Sequence, residues 1–237
     1  QKLTEKNFIE TLLAVFDNEV HDKINAFCEA SRKPIQGTSY NQIIEVDPSH
    51  LIRIGVGLGF HRARLKYAYM LLRGKDLRTG IINTQVRKDN LEKLRNALDT
   101  ATNLNDWHAF LNLYADVGYY NQNMVSSSNG VIFSYVLYLI GKYEYKVSSA
   151  ELRKVMKKWI YMTSVTSFYS GSTETNVEKQ MADLRDVHDD KGFVGYLNKM
   201  IGDTLTDDYF TYSLTGDLNT SSTNSPVWNA YLAAINI

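Results

Sequence analysis

The chain has 237 residues, 26 Lys and Arg against 26 Asp and Glu, one cysteine, three prolines and 44% hydrophobic residues. That length can bury a real core as one large domain or two small ones, while a lone Cys28 excludes a disulfide-stapled secreted scaffold and favours a reducing, cytosolic setting. Aromatic content of 12% without a long polar tract excludes disorder, and the longest apolar run, 131–140, falls well short of the roughly 20 residues a membrane helix needs.

Thr4 caps a predicted amphipathic helix carrying Phe8, Leu12, Val15 and Phe16. A second series, Val20, Ile24 and Phe27, runs to about Ala30 and ends before Pro34 and Gly37. Asp47-Pro48 supplies an N-cap and a proline at the first helical position for Leu51, Ile54 and Leu58. Leu65, Ala68, Tyr69 and Leu72 follow, closed by Gly74; then come Leu91, Leu94, Leu98 and Trp107, Leu111, Tyr114, with Asn105 or Asp106 as the cap between these last two helices. The segment 131–140 is apolar all round, as the centre of a bundle requires, and Gly141 is expected to stop it.

Ser148-Ser149-Ala150-Glu151 is a capping-box sequence, and Leu152, Val155, Met156, Trp159 and Ile160 behind it form one stripe. Val177, Met181 and Leu184 mark the next helix; Phe193, Leu197, Met200 and Ile201 the one after; Ser225-Pro226 opens the last. Only 143–147 and 209–214 alternate in the manner of strands. The pattern predicts an all-α fold: an irregular multi-helix bundle of roughly nine to eleven helices, with at most a minor hairpin, forming a single helical domain over 1–237. The start at Gln1 without a methionine and the end inside an apolar run suggest an internal piece of a longer protein.

The zero net charge averages unlike segments. From 49 to 88 the basic residues Arg53, Arg62, Arg64, Lys66, Arg73, Lys75, Arg78, Arg87 and Lys88 meet Asp76 alone, a net +8 balanced by −8 elsewhere. Such asymmetry marks a candidate surface for a polyanion; the plainer alternative is solvated helix faces paired with acids elsewhere in the fold. The candidate phosphate contacts are Arg53, Arg62, Arg64, Lys66 and Arg73, together with Arg153, Lys154, Lys157 and Lys158 on the polar side of the Leu152–Ile160 stripe.

A second candidate is the turn Ser170, Gly171, Ser172 and Thr173, whose backbone N–H groups could hold an anion at a helix start. Local physics favours an ordinary N-cap by Ser172 or Thr173 there. Gly55-Val56-Gly57-Leu58-Gly59 is spaced G-x-G-x-G, follows a helix cap and lacks a second strand, so close backbone packing or a helix break explains it better than a dinucleotide. The histidines His21, His50, His61, His108 and His188 lie far apart, Cys28 has no histidine near it in sequence, and no nucleophile, phosphate-loop or metal-ligand motif occurs. Neither a catalytic set, a metal nor a cofactor is expected of this segment.

Lys2-Leu3-Thr4-Glu5-Lys6-Asn7-Phe8, Ile44-Glu45-Val46-Asp47-Pro48, Gly57-Leu58-Gly59-Phe60-His61-Arg62-Ala63-Arg64-Leu65 and Leu71-Leu72-Arg73-Gly74-Lys75-Asp76 are followed in order by Asn105-Asp106-Trp107-His108, Tyr135-Val136-Leu137-Tyr138-Leu139-Ile140-Gly141, Tyr169-Ser170-Gly171-Ser172-Thr173-Glu174-Thr175 and Asp203-Thr204-Leu205-Thr206-Asp207-Asp208. This ordered set, spread over nearly the whole chain, resembles the middle region of GmrSD-like proteins, the bacterial domain-of-unknown-function 262 family, similar to modification-dependent type IV restriction endonucleases. One departure is Ser167-Phe168, where the family often carries an Arg before the tyrosine of the turn.

The resemblance implies an N-terminal ParB/sulfiredoxin-like domain that binds and hydrolyses nucleotide and a C-terminal HNH domain that cuts DNA, neither of whose motifs lies in this sequence. This chain would then be the helical connector, not catalytic by itself, in a cytoplasmic parent that is a nucleotide-dependent DNA endonuclease. Its partners would be the flanking domains of the same protein and DNA, with no membrane. The alternative is a purely structural coupling domain with no ligand of its own.

Overall fold

The computed structural model describes Thr11, 18–32, 42–76, 78–220 and 222–237. The predicted helix beginning at Thr4, like Pro34 and Gly37, falls outside these residues apart from Thr11. Among the described residues the fold is all-α: eleven α-helices and no strand, with one isolated antiparallel bridge between Lys75 and Ile82. The chain forms two compact units, one built on α1 (Asn18–Arg32) and Glu45–Trp107, the other on His108–Ile237 with Gln42–Ile44.

In the first unit, α1 is followed by α2 (Pro48–Phe60), α3 (Leu65–Leu72) and α4 (Thr84–Ala101), and α5 (Leu104–Asp116) begins. Asp47 starts α2 as the sequence predicts. Its carboxylate accepts from the backbone N–H groups of Ser49 at 2.8 Å and His50 at 3.1 Å, and from the Ser49 hydroxyl at 2.6 Å, while its own N–H donates to His50 Nδ1 at 3.2 Å. Partial burial pushes the Asp47 carboxyl up, but the Ser49 hydroxyl, the His50 charge and the two N–H groups together hold it below its ordinary 3.8. A carboxyl whose folded value is depressed adds stability above its unfolded value and loses it as pH falls through the folded one. Asp47→Ala should therefore cost about 1 kcal/mol near neutral pH. The deficit relative to the parent should shrink in denaturation curves as pH drops below that ordinary carboxylate range.

The glycines of α2 are packing positions inside a helix, with no strand before them. A methyl group on Gly55 would stand 2.9 Å from Leu98 Cδ2 and 3.0 Å from Leu94 Cδ1, and one on Gly59 would stand 3.2 Å from Ala97 Cβ. Residues four apart share one helix face, so this glycine face lets α2 close onto α4, and the two form the main packing of the unit. The helix runs through Gly59 and ends at His61, which takes the left-handed conformation. The cap before α5 is Asn103, whose side chain accepts from Asn105 N–H and Asp106 N–H at 3.0 and 3.3 Å, two or three residues earlier than predicted.

The second unit is arranged around α7 (Ser149–Val165), which packs against α6 (Ser128–Leu139), α9 (Asp190–Thr204) and α11 (Pro226–Ile235); α8 (Thr173–Asp183) and α10 (Thr215–Thr220) complete it. Every residue of 131–140 is buried, as an apolar helix at the centre of a bundle should be. Gly141 does not stop the chain. The helix widens there into a π-helical turn, Ile140–Glu144, and a methyl on Gly141 would meet Phe193 Cε1 at 2.7 Å and Leu152 Cδ1 at 2.8 Å. The alternating segment 209–214 is likewise a π-helical turn, and 143–147 leaves the first π turn without pairing to a strand. Neither alternation belongs to a sheet face: Tyr143, Tyr145 and Tyr209 are half-buried, and Tyr212 is exposed.

Candidate nucleic-acid interface

The basic segment divides by burial. Arg53 lies on the buried face of α2 at 9% exposure, so it stands apart from any surface a polyanion could reach. Arg62 and Arg64, in the link between α2 and α3, are half-buried, and the Arg62 guanidinium lies 5.0 Å from the Tyr67 ring centre. Lys66, exposed, covers the same ring at 5.0 Å. Lys66, Tyr69 and Arg73 fall at i, i+3 and i+7, a single exposed stripe along α3. Arg73 stacks on Tyr69 at 5.4 Å and donates to its hydroxyl at 3.4 Å.

The stripe runs on into a turn and the start of α4. Asn83 N–H donates to Gly74 O at 3.0 Å, and a Cβ on Gly74 would sit 2.9 Å from that of Arg87, which puts Arg87 beside the corner that carries Arg73. Arg78 and Lys88 are also exposed, and Lys75 is half-buried. Within the turn the Asp76 carboxylate accepts from the N–H groups of Arg78 and Thr79, both at 2.8 Å. The Thr79 N–H first, then that of Arg78, hold its carboxyl below the ordinary value. Among the described residues, Lys66, Arg73, Lys75, Arg78, Arg87 and Lys88 make no ion pair with a carboxylate; Arg78 adds only a longer-range attraction to Asp76. Sequence reasoning placed only Lys66 and Arg73 of these six in the contact set. The signal available for the others was the pair of glycines, Gly74 and Gly80, whose left-handed backbone turns the chain between α3 and α4 and brings Arg87 up to the Gly74 corner.

In the second unit α7 presents Lys154 and Lys158, both exposed and four apart, with Lys157 half-buried. Arg153 is paired: its Nη2 lies 2.5 Å from Asp116 Oδ2. Ser170 and Gly171 are exposed, Gly171 with φ +69°, and Ser172 occupies the N-cap of α8 without a side-chain bond to the helix. The Thr173 hydroxyl turns away from the cap and donates to the Tyr169 carbonyl. Neither hydroxyl therefore caps the helix; the turn serves to hold Tyr169, buried among Phe133, Trp159 and Phe168 with its hydroxyl donating to Gln180 Oε1 at 3.2 Å. Burial pushes the phenols of Tyr114, Tyr119 and Tyr169 well up, which keeps them neutral core groups.

Among the described residues no group of three His, Cys, Asp or Glu side chains is placed to hold a metal ion, and no helix is long and apolar enough to cross a membrane. No protein-family model, curated protein or solved structure matches the chain.

Proposed function

We propose that this chain is a helical module that contacts DNA phosphates through the exposed basic stripe of α3, the turn after it and the start of α4. It would serve a cytoplasmic, modification-dependent restriction-like protein whose catalysis lies in flanking domains. The carrying observation is the set of six cations, Lys66, Arg73, Lys75, Arg78, Arg87 and Lys88, gathered in one unit without carboxylate partners among the described residues. Like charges gathered on one solvent-exposed face repel, and a polyanion is the class of partner that would relieve that repulsion. Arg73, Arg78 and Arg87 are half of the set, and their planar forks suit phosphate oxygens. The wider restriction-like context rests on the ordered sequence resemblance.

A structural coupling role is favoured for α7 and for Arg53. Arg153 is neutralised by Asp116, and Arg53 is buried. Titration of a labelled DNA duplex with the full chain at low salt separates the two roles. Arg73→Ala/Arg78→Ala/Arg87→Ala should weaken binding about tenfold or more, and Lys154→Ala/Lys158→Ala should weaken it less. Equal affinity for parent and triple variant would leave the coupling role standing alone.

A further inference from the structure

Helix α11 buries its small residues and leaves its large ones in water. Val227, Ala230 and Ala233 are buried, whereas Tyr231, Leu232 and Ile235 are 47%, 44% and 62% exposed. With half-buried Trp228, whose ring meets that of Tyr231 edge-on at 5.5 Å, they fall at i, i+3, i+4 and i+7, a single stripe along the helix. An ordinary surface helix is apolar inward and charged outward. This one carries no charged residue.

The segment beside it has the same character. Asn229 Nδ2 donates to Asn123 O at 3.2 Å and Tyr120 OH to Asn236 O at 3.4 Å, so 120–123 runs along α11. Exposed Tyr120 thereby lies at the C-terminal end of the helix, where Ile237 is exposed as well, and Asn121, Gln122 and Asn123 are exposed amides. No charged side chain occurs in 117–141 or in 218–237, in a chain that is 22% charged overall. Single exposed apolar residues are ordinary, but a contiguous apolar face marks a contact surface. Tyrosine and tryptophan without lysine, aspartate or glutamate is the composition of the core of such a surface.

We propose that this face is the contact between two copies of the chain, paired about a two-fold axis. A face without charge has nothing with which to select a nucleic acid, an anionic lipid or a charged peptide, and a charge pressed against it would lose its water without gaining a partner. Its complement must be equally free of charge, a requirement that the same face of a second copy meets. The midpoint of the stripe lies between Tyr231 and Leu232. With the axis there, the two helices run antiparallel, Trp228 of one copy lies against Ile235 of the other, and Leu232 sits beside its own counterpart. The exposed side chains offer on the order of 500 Å², and Trp228 and the amides add towards the roughly 800 Å² that each partner of a stable interface buries. Contact of that size makes a dimer that dissociates on dilution.

Sedimentation velocity of the full chain, in a dilution series that starts near millimolar, tests the pairing. The parent should pass from dimer to monomer at the same concentration in low and high salt, since no ion pair holds it. Leu232→Glu and Leu232→Lys each set like charges together at the axis, on a side chain already partly in water. Each should keep the helical circular dichroism and weaken the dimer about a hundredfold or more. Mixed in equal amounts, the two variants should form a dimer of one of each. Tyr231→Ala/Ile235→Ala, which brings no charge to the fold, should weaken the dimer as well. A parent that is monomeric throughout, a dimer lost at high salt, variants that pair as the parent does, or a Glu and Lys mixture that stays monomeric would each overturn the proposal. A monomeric parent that floats with neutral phosphatidylcholine vesicles, and no longer does so as Leu232→Glu, would overturn it and assign the face to a lipid surface.

Discussion

Replacing Gly118 by alanine should destabilise the second unit by about 3 kcal/mol or more, the combined cost of a left-handed backbone and displaced packing. Gly118 has φ +84°, and a methyl there would stand 2.0 Å from the carbonyl oxygen of Ala233 and 2.6 Å from its carbon. Because the neighbour is main chain, no rotamer change can relieve the overlap. The end of α11 must move, and with it Val227, Ala230 and Ala233, all buried, and the weak bonds from Asn236 Nδ2 to Gly118 O and from Tyr120 OH to Asn236 O. Gly216→Ala is the control. Its methyl would meet nothing within 4 Å, and it lies inside α10, so it should be neutral or up to about 1 kcal/mol stabilising. Urea midpoints of the two variants should move in opposite directions or differ by the full amount; a Gly118→Ala midpoint equal to that of the parent would contradict the packing of α11 on this corner.

Truncating Trp159 to alanine should cost about 3–5 kcal/mol. The indole is fully buried on α7, the helix against which α6, α9 and α11 all pack, and it meets Phe168 and Tyr169 edge-on at 5.8 and 6.4 Å between ring centres. Its removal leaves a void walled by aromatic rings that cannot collapse without moving the turn that precedes α8. The cooperative thermal transition should fall in temperature and lose sharpness. A shift no larger than that of an exposed substitution such as Lys158→Ala would show that the aromatic cluster is not the centre of this unit.

Helices were legible because their starts are chemically explicit. Asp47-Pro48, Ser148 with Glu151 three residues on, and Ser225-Pro226 all begin helices where the sequence places them. Glu151, however, accepts from the Ser148 hydroxyl at 3.0 Å, so only the serine half of that capping box forms in full. The two π-helical turns were not legible, since the mixed aromatic and polar residues of 143–147 and 209–214 alternate in sequence as a strand would. Among the site residues, the charge run was visible but the fate of each cation was not. Arg53 falls in a stretch of α2 that is buried on every side from Leu51 to Gly57, a burial that its one-sided apolar periodicity did not encode. Arg153 finds Asp116, 37 positions earlier in the chain, a pairing no local pattern encodes.

The central claim, a phosphate-contacting face on the first unit, is tested most directly by the salt dependence of duplex binding. Plotted as the logarithm of affinity against that of salt concentration, each phosphate neutralised contributes a slope of about −0.9. The parent chain should give a steep line, and Arg73→Ala/Arg78→Ala/Arg87→Ala should flatten it by roughly 3 such contributions. A parent line already flat, or a triple variant that runs parallel to the parent, would contradict the claim.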